Sequence, residues 1–378
     1  MIIVYVADEN YIPYVEISAK TVLKHNDARI IVVSPRPVKT SYENVVIPLA
    51  GVFRQNENDR ITCTTYLKLF LPQLPFDKII YLDGDTLCYG KLDALWNMDC
   101  KYINLCDTYS RRHKRDLKVK KYGLSGMMLM NLKALREMDF TNLCLNARPQ
   151  VRHWQHEETL INTVMRGKLK FINNKWNYCH NRDYGDGSKE KDAIILHVCG
   201  KDKSRMFWQA FSEIKEILNF IKGKSVAIVG NAKSIFDKSN GASINDHDVI
   251  IRFNKGYITK PESQGNRTDI LIMACAVPLD DKANFKAKYY INRSRNTTSG
   301  DYTISDQTRE VIRQETIKQP SSGFMAVKMC LAAGAKSIDL YGFDFGKTPT
   351  YYNPEGYITL HDYDKEHEII KTLNINLN

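Results

Sequence analysis

The sequence predicts an α/β protein of two consecutive domains, residues 1–221 and 222–378, each with a mostly parallel sheet. A length of 378 residues is more than one typical domain needs. In both halves, β-type apolar runs alternate with helical patterns, as in strand–helix–strand crossovers. A helical pattern over residues 208–224 ends at Gly223, a common helix stop, and marks the boundary.

The first half begins with a strand. Residues 2–6, 30–33 and 78–82 are β-type runs, and residues 15–23 and 64–71 carry helical spacing between them. The N-terminal sequence MIIVYVADEN has neither a positive region nor a small-residue cleavage site. We therefore predict a strand there and not a signal peptide.

The second half repeats the alternation without repeating the sequence. Strands are predicted at residues 225–231, 247–254 and 337–343, with a helix at 322–333. These elements again predict a mostly parallel sheet flanked by helices.

Composition excludes several protein classes. With 43% hydrophobic and 26% charged residues, the chain is neither collagen-like nor wholly disordered. Its apolar stretches are far shorter than the ~20 residues of a membrane helix. The nine cysteines form no CxxC pair, which is typical of reduced thiols. We expect a cytoplasmic protein without a disulfide framework, and a peripheral position at the inner face of the cytoplasmic membrane stays open.

The charge balance predicts an anionic partner. Lys and Arg number 54 against 43 Asp and Glu, a formal net charge of +11. The densest basic run is RRHKRDLKVKK at residues 111–121. A solvated loop, a contact with an acidic acceptor and a contact with an anionic membrane all fit this run.

Two carboxylates follow the predicted strand at residues 78–82. Asp83 and Asp85 are separated by one glycine, so alternation directs both side chains to one side of the strand's carboxyl end, where α/β proteins bind ligands. Carboxylate oxygens in this spacing suit Mg²⁺ or Mn²⁺ beside a diphosphate. As a bare pattern, Asp-x-Asp also fits a polar turn.

Ordered blocks around this pair resemble glycosyltransferase family 8 over most of the first 208 residues: VADENY, TTYLKLFLPQL, DKIIYLDGDTL, GLSGMMLMNL and ILHVCGKDK. The resemblance implies a Rossmann-like GT-A fold, a UDP-sugar donor and retention of anomeric configuration. It implies that Asp83, Asp85 and His197 bind Mn²⁺ or Mg²⁺, and imidazole beside two carboxylates favours Mn²⁺ over Ca²⁺. The residues implied to contact the UDP-sugar are Ala7, Asp8, Asn10, Lys68, Asp107, Ser125, Gly200 and Lys203.

Three positions depart from the family pattern. Lys68 stands where arginine is usual, Leu124 where asparagine is frequent, and Glu158 where glutamine is usual. Glu158 is a candidate catalytic residue, as a stabiliser of an oxocarbenium ion or as a nucleophile. An ordinary surface glutamate is the alternative. The departures leave the hexose open, with galactose favoured.

The segment VAIVGNAKSI at residues 226–235 predicts a strand, a Gly230–Asn231 turn and then a helix, which together offer N–H groups to an anion. Because the segment lacks GxGxxG, a dinucleotide enzyme is a weak alternative. With VIIRFN, GNRTDI, PSSGFMAVKMCLAAGAKSIDLYGFDF and HDYDKEHE, it resembles glycosyltransferase family 29, the sialyltransferases.

This second resemblance implies a sialyltransferase-like GT-A variant that takes CMP-sialic acid and needs no metal. The residues implied or expected to bind the CMP-sugar are Gly230, Asn231, Asn254, Ser322, Gly323 and Tyr351. Tyr352 is the alternative to Tyr351 for the aromatic motif. His361 is implied as the general base, since imidazole titrates near working pH. Glu366 is expected near His361, where it would raise the basicity of the ring. A solvated helix start is the alternative for both.

The sequence thus predicts a bifunctional glycosyltransferase of lipooligosaccharide or capsule synthesis. Its partners would be a UDP-hexose, CMP-sialic acid and an oligosaccharide or glycolipid acceptor. One alternative is that a single domain is active and the other is a degenerate binding module. Another is a basic glycan- or nucleic-acid-binding protein without turnover, but no nucleic-acid-binding motif supports it, and we expect no nucleic acid as partner.

Overall fold

The computed structural model describes residues 1–49, 63–147, 156–180, 182, 184, 189–200, 203–275, 277–278, 283–294, 300–316, 318–355, 359–373 and 375–378. It divides into two compact units, Met1–Met206 and Phe207–Asn378. This division precedes the predicted boundary at residues 221 and 222. The reason is packing, because the helix Lys215–Ile221 lies against the helix Ser322–Ala333 of the second unit.

Both units are α/β, as the alternating patterns predict. In the first unit the strands are β1 (Ile2–Val6), β2 (Arg29–Ser34), β3 (Glu43–Val46), β4 (Lys78–Leu82), β5 (Thr86–Cys88), β6 (Ile103–Asp107), β7 (Gly123–Asn131), β8 (Leu169–Ile172), β9 (Tyr178–Cys179) and β10 (Ile195–His197). In the second unit they are β11 (Ser225–Val229), β12 (Val249–Phe253), β13 (Ile270–Met273), β14 (Tyr289–Asn292), β15 (Tyr302–Thr303), β16 (Ser337–Tyr341) and β17 (Asn376–Leu377).

The described α-helices alternate with these strands. They are α1 (Ile12–Leu23), α2 (Asp93–Trp96), α3 (Arg111–Asp116), α4 (Leu132–Glu137), α5 (Phe140–Ala147), α6 (His156–Val164), α7 (Ser204–Ala210), α8 (Lys215–Ile221), α9 (Gly241–Asn245), α10 (Pro261–Gln264), α11 (Asp306–Thr316), α12 (Ser322–Ala333) and α13 (Tyr363–Lys371). The helical spacing at residues 64–71 belongs to a 3-10 segment, Cys63–Gln73. Among the described helices, none is both long and apolar enough to span a bilayer.

The main sheet of the first unit has the order β3-β2-β1-β4-β7-β6-β8. It is parallel except that β7 runs antiparallel to β4 and β6. Both faces of β4 are buried: Ile79 and Tyr81 pack on one side, and Ile80 and Leu82 on the other. This explains why the strand reads as an unbroken apolar run, and it places Asp83 at the centre of the sheet's carboxyl edge.

A small second sheet completes the first unit. Its order is β5-β10-β9, with β10 antiparallel to β5 and parallel to β9. β5 begins directly after Asp85, and its Thr86 is paired with His197 at the end of β10. This pairing, which no local pattern predicts, brings residues that are more than a hundred positions apart to one place.

The second unit has a seven-stranded sheet of order β15-β14-β13-β12-β11-β16-β17, parallel at every pair. The chain leaves β11 toward β12 on one side and returns later to β16 on the other side. Such a reversal of direction opens a crevice at the carboxyl ends of the two diverging strands, and open α/β sheets bind their ligands there. Gly230 and Asn231 follow β11 at this point.

Candidate active site

Two aspartates and a histidine form a compact cluster in the first unit. Ligand atoms of Asp83, Asp85 and His197 all lie within 4.8 Å of one another. His197 Nε2 is 3.2 Å from Asp85 Oδ1 and 3.6 Å from Asp83 Oδ2. Two hard oxygens and one imidazole nitrogen form a donor set that suits Mn²⁺. The residues present therefore fit the divalent cation expected from the sequence.

Gly126 makes the close approach of the histidine possible. A Cβ atom at this position would lie 2.3 Å from Cε1 and 2.4 Å from Nδ1 of His197, and 3.1 Å from Asp83 Oδ2. The Gly126 carbonyl also accepts a hydrogen bond from the Asp83 N–H at 2.8 Å. Only glycine leaves room for the imidazole beside the strand end.

Two lysines flank the cluster. Lys203 Nζ lies 2.5 Å from Asp85 Oδ2, and Lys68 Nζ lies 3.0 Å from Asp83 Oδ1. Burial by itself raises the pKa of Asp85, but the charges of Lys203 and His197 outweigh it and hold that pKa below its usual range. Burial lowers the pKa of His197, but Asp85 and Asp83 raise it to about 9. The two carboxylates therefore favour the protonated form of the imidazole.

Lys68 connects the metal cluster to a pair of glutamates. It is 5% exposed and reaches Glu157 Oε1 at 2.8 Å as well as Asp83. Burial disfavours its charge, yet Asp83 and Glu157 raise its pKa well above the ordinary value. The ammonium therefore stays charged and holds both carboxylates on the cavity wall.

Glu158 lies on the same wall, at the start of α6. Its Oε2 accepts hydrogen bonds from the N–H of Ser125 at 2.8 Å and from its hydroxyl at 3.2 Å. Burial raises the pKa of Glu158 to about 7, against the effect of the Ser125 N–H. A carboxyl of this pKa exchanges its proton near neutrality, as catalytic carboxyls do.

These side chains line a cavity of about 670 Å³. It also contains all but one of the predicted UDP-sugar residues: Ala7, Asp8, Asn10, Lys68, Ser125, Gly200 and Lys203. The exception is Asp107, which is not among the lining residues. Its Oδ2 pairs with Lys114 at 2.8 Å and its Oδ1 accepts from the Tyr122 N–H at 3.0 Å. In this structure Asp107 supports the loop after β6.

The cavity contains residues that the sequence analysis did not select. Tyr11 and Glu157 line it, as do Thr64 and His113. The Thr64 hydroxyl donates to Asp8 Oδ2 at 3.1 Å. Glu157 adjoins Glu158, and Thr64 begins the block TTYLKLFLPQL, so local sequence patterns mark the positions of both. His113 gave no such signal, because it stands inside a basic run.

In the second unit, Asn231 and Asn254 lie at the carboxyl edge of the sheet. The side-chain amide of Asn231 donates to the Phe253 carbonyl at 3.0 Å, which joins the ends of β11 and β12. Asn254 has a positive φ of 51° and accepts from the Ala274 N–H at 2.6 Å, which joins the ends of β12 and β13. The two asparagines therefore shape neighbouring loops.

Glycines let the loops approach closely. A Cβ atom at Gly230 would lie 2.4 Å from the Gly342 carbonyl oxygen, after β16. One at Gly323, in the first turn of α12, would lie 2.5 Å from the ring of Phe343. The start of α12, with Ser322 and Gly323, therefore lies beside the crevice at β11 and β16.

The aromatic motif also reaches this edge. The Tyr351 N–H donates to the Asn231 carbonyl at 3.0 Å, but its hydroxyl is engaged with the Tyr257 carbonyl at 2.9 Å. The Asn231 side-chain amide instead donates to the hydroxyl of the half-exposed Tyr352 at 3.4 Å. Tyr352 is thus the more accessible member of the pair.

His361 lies beside the residues that precede α12. Its Nδ1 donates to the Gln319 carbonyl at 2.8 Å, since a carbonyl can only accept. Burial lowers the pKa of His361, and Arg293 lowers it further, although the Gln319 carbonyl acts in the opposite direction. The ring is therefore neutral at neutral pH, with Nε2 as the atom that accepts a proton.

Glu366 does not contact His361, contrary to expectation. Its carboxylate accepts from the N–H and the hydroxyl of Ser321, both at 2.6 Å, and it is 2% exposed. The reason is helical geometry: α13 begins at Tyr363, so Glu366 lies in its first turn and points inward to the N-cap of α12. Glu366 holds the segment that carries His361, and it does not raise the basicity of the ring.

Two profiles of known families match the chain in tandem. The first, glycosyl transferase family 8, matches residues 2–209. The chain belongs to glycosyltransferase family 8. The second profile, glycosyltransferase family 29 (sialyltransferase), matches residues 209–300. The predicted fusion of these two families is confirmed, as are the α/β fold class and the enzyme class.

Individual relatives are more distant. A Haemophilus influenzae protein, named provisionally as a glycosyltransferase, is 25% identical over 246 residues, covering 55% of this chain and 73% of that protein. The galactosyltransferase LgtC, solved with donor and acceptor sugar analogs, is 21% identical with a TM-score of 0.47, covering 54% of this chain and 89% of its own. A mammalian sialyltransferase is 14% identical with a TM-score of 0.33, covering 48% and 86%.

The family matches decide between the alternatives at a coarse level. The family 8 match includes every residue of the metal cluster and the cavity, from Val6 to Lys203. The family 29 match ends at residue 300, before Ser322, Gly323, Tyr351, His361 and Glu366. The binding and catalytic roles of the site residues stay predictions in both units. Because both profiles describe transferases, the non-enzymatic binding protein is no longer an alternative.

Proposed function

We propose that this glycosyltransferase is bifunctional: the first unit transfers a hexose from a UDP-sugar with retention, and the second transfers sialic acid from CMP-sialic acid with inversion. The observation that carries the first assignment is the cluster of Asp83, Asp85 and His197 on the wall of a cavity large enough for a nucleotide sugar. We expect the hexose to be galactose and the acceptor to be an oligosaccharide or glycolipid of lipooligosaccharide or capsule synthesis.

The first reaction requires that negative charge on the departing UDP be neutralised. Asp83, Asp85 and His197 would hold the divalent cation. When bound, that cation supplies positive charge to the diphosphate. Lys203 adds a second positive charge beside Asp85, and Lys68 holds Asp83 in position. In this scheme the protein itself provides a buried ammonium group, from Lys68, and a partly buried one, from Lys203, at the site of charge development.

Glu158 faces the sugar end of the same cavity in this proposal. In its ionised form it stabilises positive charge at the anomeric carbon, or attacks that carbon as UDP leaves. The second route forms an ester between Glu158 and the sugar, which an acceptor hydroxyl then cleaves. Mass spectrometry after incubation with UDP-sugar alone separates the routes, since only a nucleophile retains a hexose mass on the peptide containing Glu158.

The second reaction requires a base for the acceptor hydroxyl. His361 is neutral and donates through Nδ1 to Gln319, so Nε2 is oriented by a fixed hydrogen bond. As the acceptor oxygen bonds to the anomeric carbon of the sialic acid, its proton passes to Nε2, and CMP leaves with the electrons of the broken bond. We propose no metal for this step.

A panel of nucleotide sugars tests the proposal. The full chain is incubated with UDP-hexoses and CMP-sialic acid, each with Mn²⁺ and with chelator, and nucleotide release is measured. We expect UDP release that chelator abolishes, fastest with UDP-galactose, and CMP release that chelator leaves unchanged. Chelator-resistant UDP release contradicts the metal site, and absence of CMP release favours the alternative in which the second unit is a degenerate binding module.

A further inference from the structure

A basic segment adjoins the cavity of the first unit. It comprises residues 111–121, that is α3 and the loop that leads to β7. From Asp107 to Lys121 the chain carries seven Lys and Arg against two Asp, a net charge of +5. Nearly half of the whole chain's excess of +11 therefore lies within this short stretch.

Most of this charge faces solvent. The exposed members of the basic segment are Arg111, Arg112, Arg115, Lys118, Lys120 and Lys121. Asp116 lies 3.5 Å from Arg112 Nε and 3.6 Å from Arg115 Nε, but these arginine side chains are 63% and 77% exposed. Such surface pairs are weak, so one aspartate neutralises little of the segment's field.

The basic segment borders the cavity. His113, on the buried side of α3, lines the cavity, and so does Tyr109, two residues before the helix. The exposed Arg166 lies against the basic segment, where it donates a hydrogen bond to the Leu117 carbonyl at 2.9 Å. It adds a further cation to the same positive surface. The exposed cations therefore lie at the edge of the space that must admit an acceptor.

The form of this surface indicates the partner. A discrete phosphate is held by buried, oriented donors, whereas these cations are exposed on long, flexible side chains. Such an array matches the diffuse negative charge of an anionic lipid surface. Each Lys or Arg near that surface raises the partition coefficient of the protein onto the membrane roughly fivefold. We propose that the basic segment binds anionic phospholipid bilayers and so presents the cavity to a glycolipid acceptor. The second part of this inference rests on the proposed function, which names a glycolipid as one class of acceptor.

Vesicle sedimentation tests this directly with the full chain. Vesicles of equal parts phosphatidylglycerol and phosphatidylcholine are compared with pure phosphatidylcholine, at about 0.1 M and about 1 M salt, where the Debye length falls from about 10 to about 3 Å. The test variant carries Arg111→Gln, Arg112→Gln and Arg115→Gln. The control variant carries Lys24→Gln, Lys39→Gln and Lys91→Gln, three exposed lysines of the same unit.

We expect the wild type to bind only the anionic vesicles, and only at low salt. The arginine variant should partition roughly 100-fold more weakly, and the lysine variant by much less. Equal losses in the two variants, equal binding to both vesicles, or no binding at low salt would each overturn the proposal. Tighter binding of duplex RNA than of anionic vesicles by the wild type, lost in the arginine variant, would overturn it in favour of nucleic acid.

The same preparations separate this inference from the proposed function. UDP release from a UDP-sugar in the absence of vesicles reports on the cavity alone, and the arginine variant should retain it. If the wild type binds anionic vesicles but releases no UDP, the proposed function fails and the surface stands. If it releases UDP but does not bind the anionic vesicles, the membrane-binding inference fails and the proposed function stands.

Discussion

Lys68 illustrates how one residue determines the form of the cavity. It is the buried cation between Asp83 and Glu157, and its contacts lie on three different elements of the fold. Removing it would take away the ammonium partner of both carboxylates, leaving His197 as the cation beside Asp83, in a setting that disfavours charge.

Lys68→Met should therefore lower the free energy of unfolding by about 3–5 kcal/mol. Lys68→Arg keeps the charge and introduces the residue that is usual in the family. It should lower the free energy of unfolding much less. Denaturant titration of both variants at neutral pH measures the difference. Equal stability of the methionine variant and the wild type would mean that the two carboxylates need no cation.

Gly126 acts through the space it leaves. Gly126→Ala should displace His197 and weaken Mn²⁺ binding by about 10–100-fold, because the new Cβ would lie 2.3 Å from the ring. Gly90→Ala is the matched control, since its Cβ would lie an ordinary 3.6 Å from the nearest atom. Calorimetric titration of Mn²⁺ checks both. Unchanged affinity in Gly126→Ala would contradict the assignment of His197 as a ligand.

At the scale of elements, two helices of the second unit are joined by a single carboxyl group. Glu366 of α13 accepts both hydrogen bonds that Ser321, the N-cap of α12, directs toward it. Burial raises its pKa to about 7 from the ordinary 4.5, although the bonds from Ser321 act the other way. The protonated form is therefore favoured by folding.

Stability should fall with pH as a result. The contribution of Glu366 is fully present below pH 4.5 and is lost as the pH rises through about 7, a difference on the order of 3 kcal/mol. Glu366→Gln keeps the shape and should show a smaller fall than the wild type. Glu368→Gln, at an exposed position of the same helix, should fall as the wild type does. Chemical denaturation between about pH 5 and pH 8 measures this, and parallel curves for wild type and Glu366→Gln would refute it.

At the scale of the whole molecule, the two families follow one another along the chain, and each unit has its own sheet. The proposed reactions use different residues, different nucleotides and, for one unit only, a metal. If both units are active, joining them in one chain raises the effective concentration of one product near the other site. That sequence of transfers follows only from their adjacency.

Single substitutions in the full chain should separate the two activities. Asp85→Asn should abolish UDP release and leave CMP release at the wild-type rate. His361→Ala should lower CMP release by 100-fold or more, as expected for a lost general base, on the order of 10²–10⁴, and leave UDP release unchanged. Both releases are measured on each variant. Loss of both activities in either variant would contradict two independent sites.

How far the sequence predicts the sites depends on the range of the contacts. Asp83 and Asp85 follow from a local pattern, because a buried strand that ends in alternating carboxylates is recognisable within ten residues. The contact between His361 and Glu366 was predicted from closeness in the chain, and it is wrong because the start of α13 turns the glutamate toward Ser321. Asp107 forms an ion pair with Lys114, and no sequence pattern indicates this contact.

The amino-acid sequence alone determined the two α/β units, their order, their families and most of the cavity's polar residues, since apolar periodicity and ordered blocks are local properties of the chain. Only the tertiary structure decided what those residues do to one another: Lys68 between two carboxylates, Gly126 beneath the imidazole, Glu366 on the N-cap of α12. The physical reason is that electrostatic interactions and steric contacts depend on the distances between side chains. The pairing of β5 with β10, and of α13 with α12, sets distances between residues that lie far apart in the sequence.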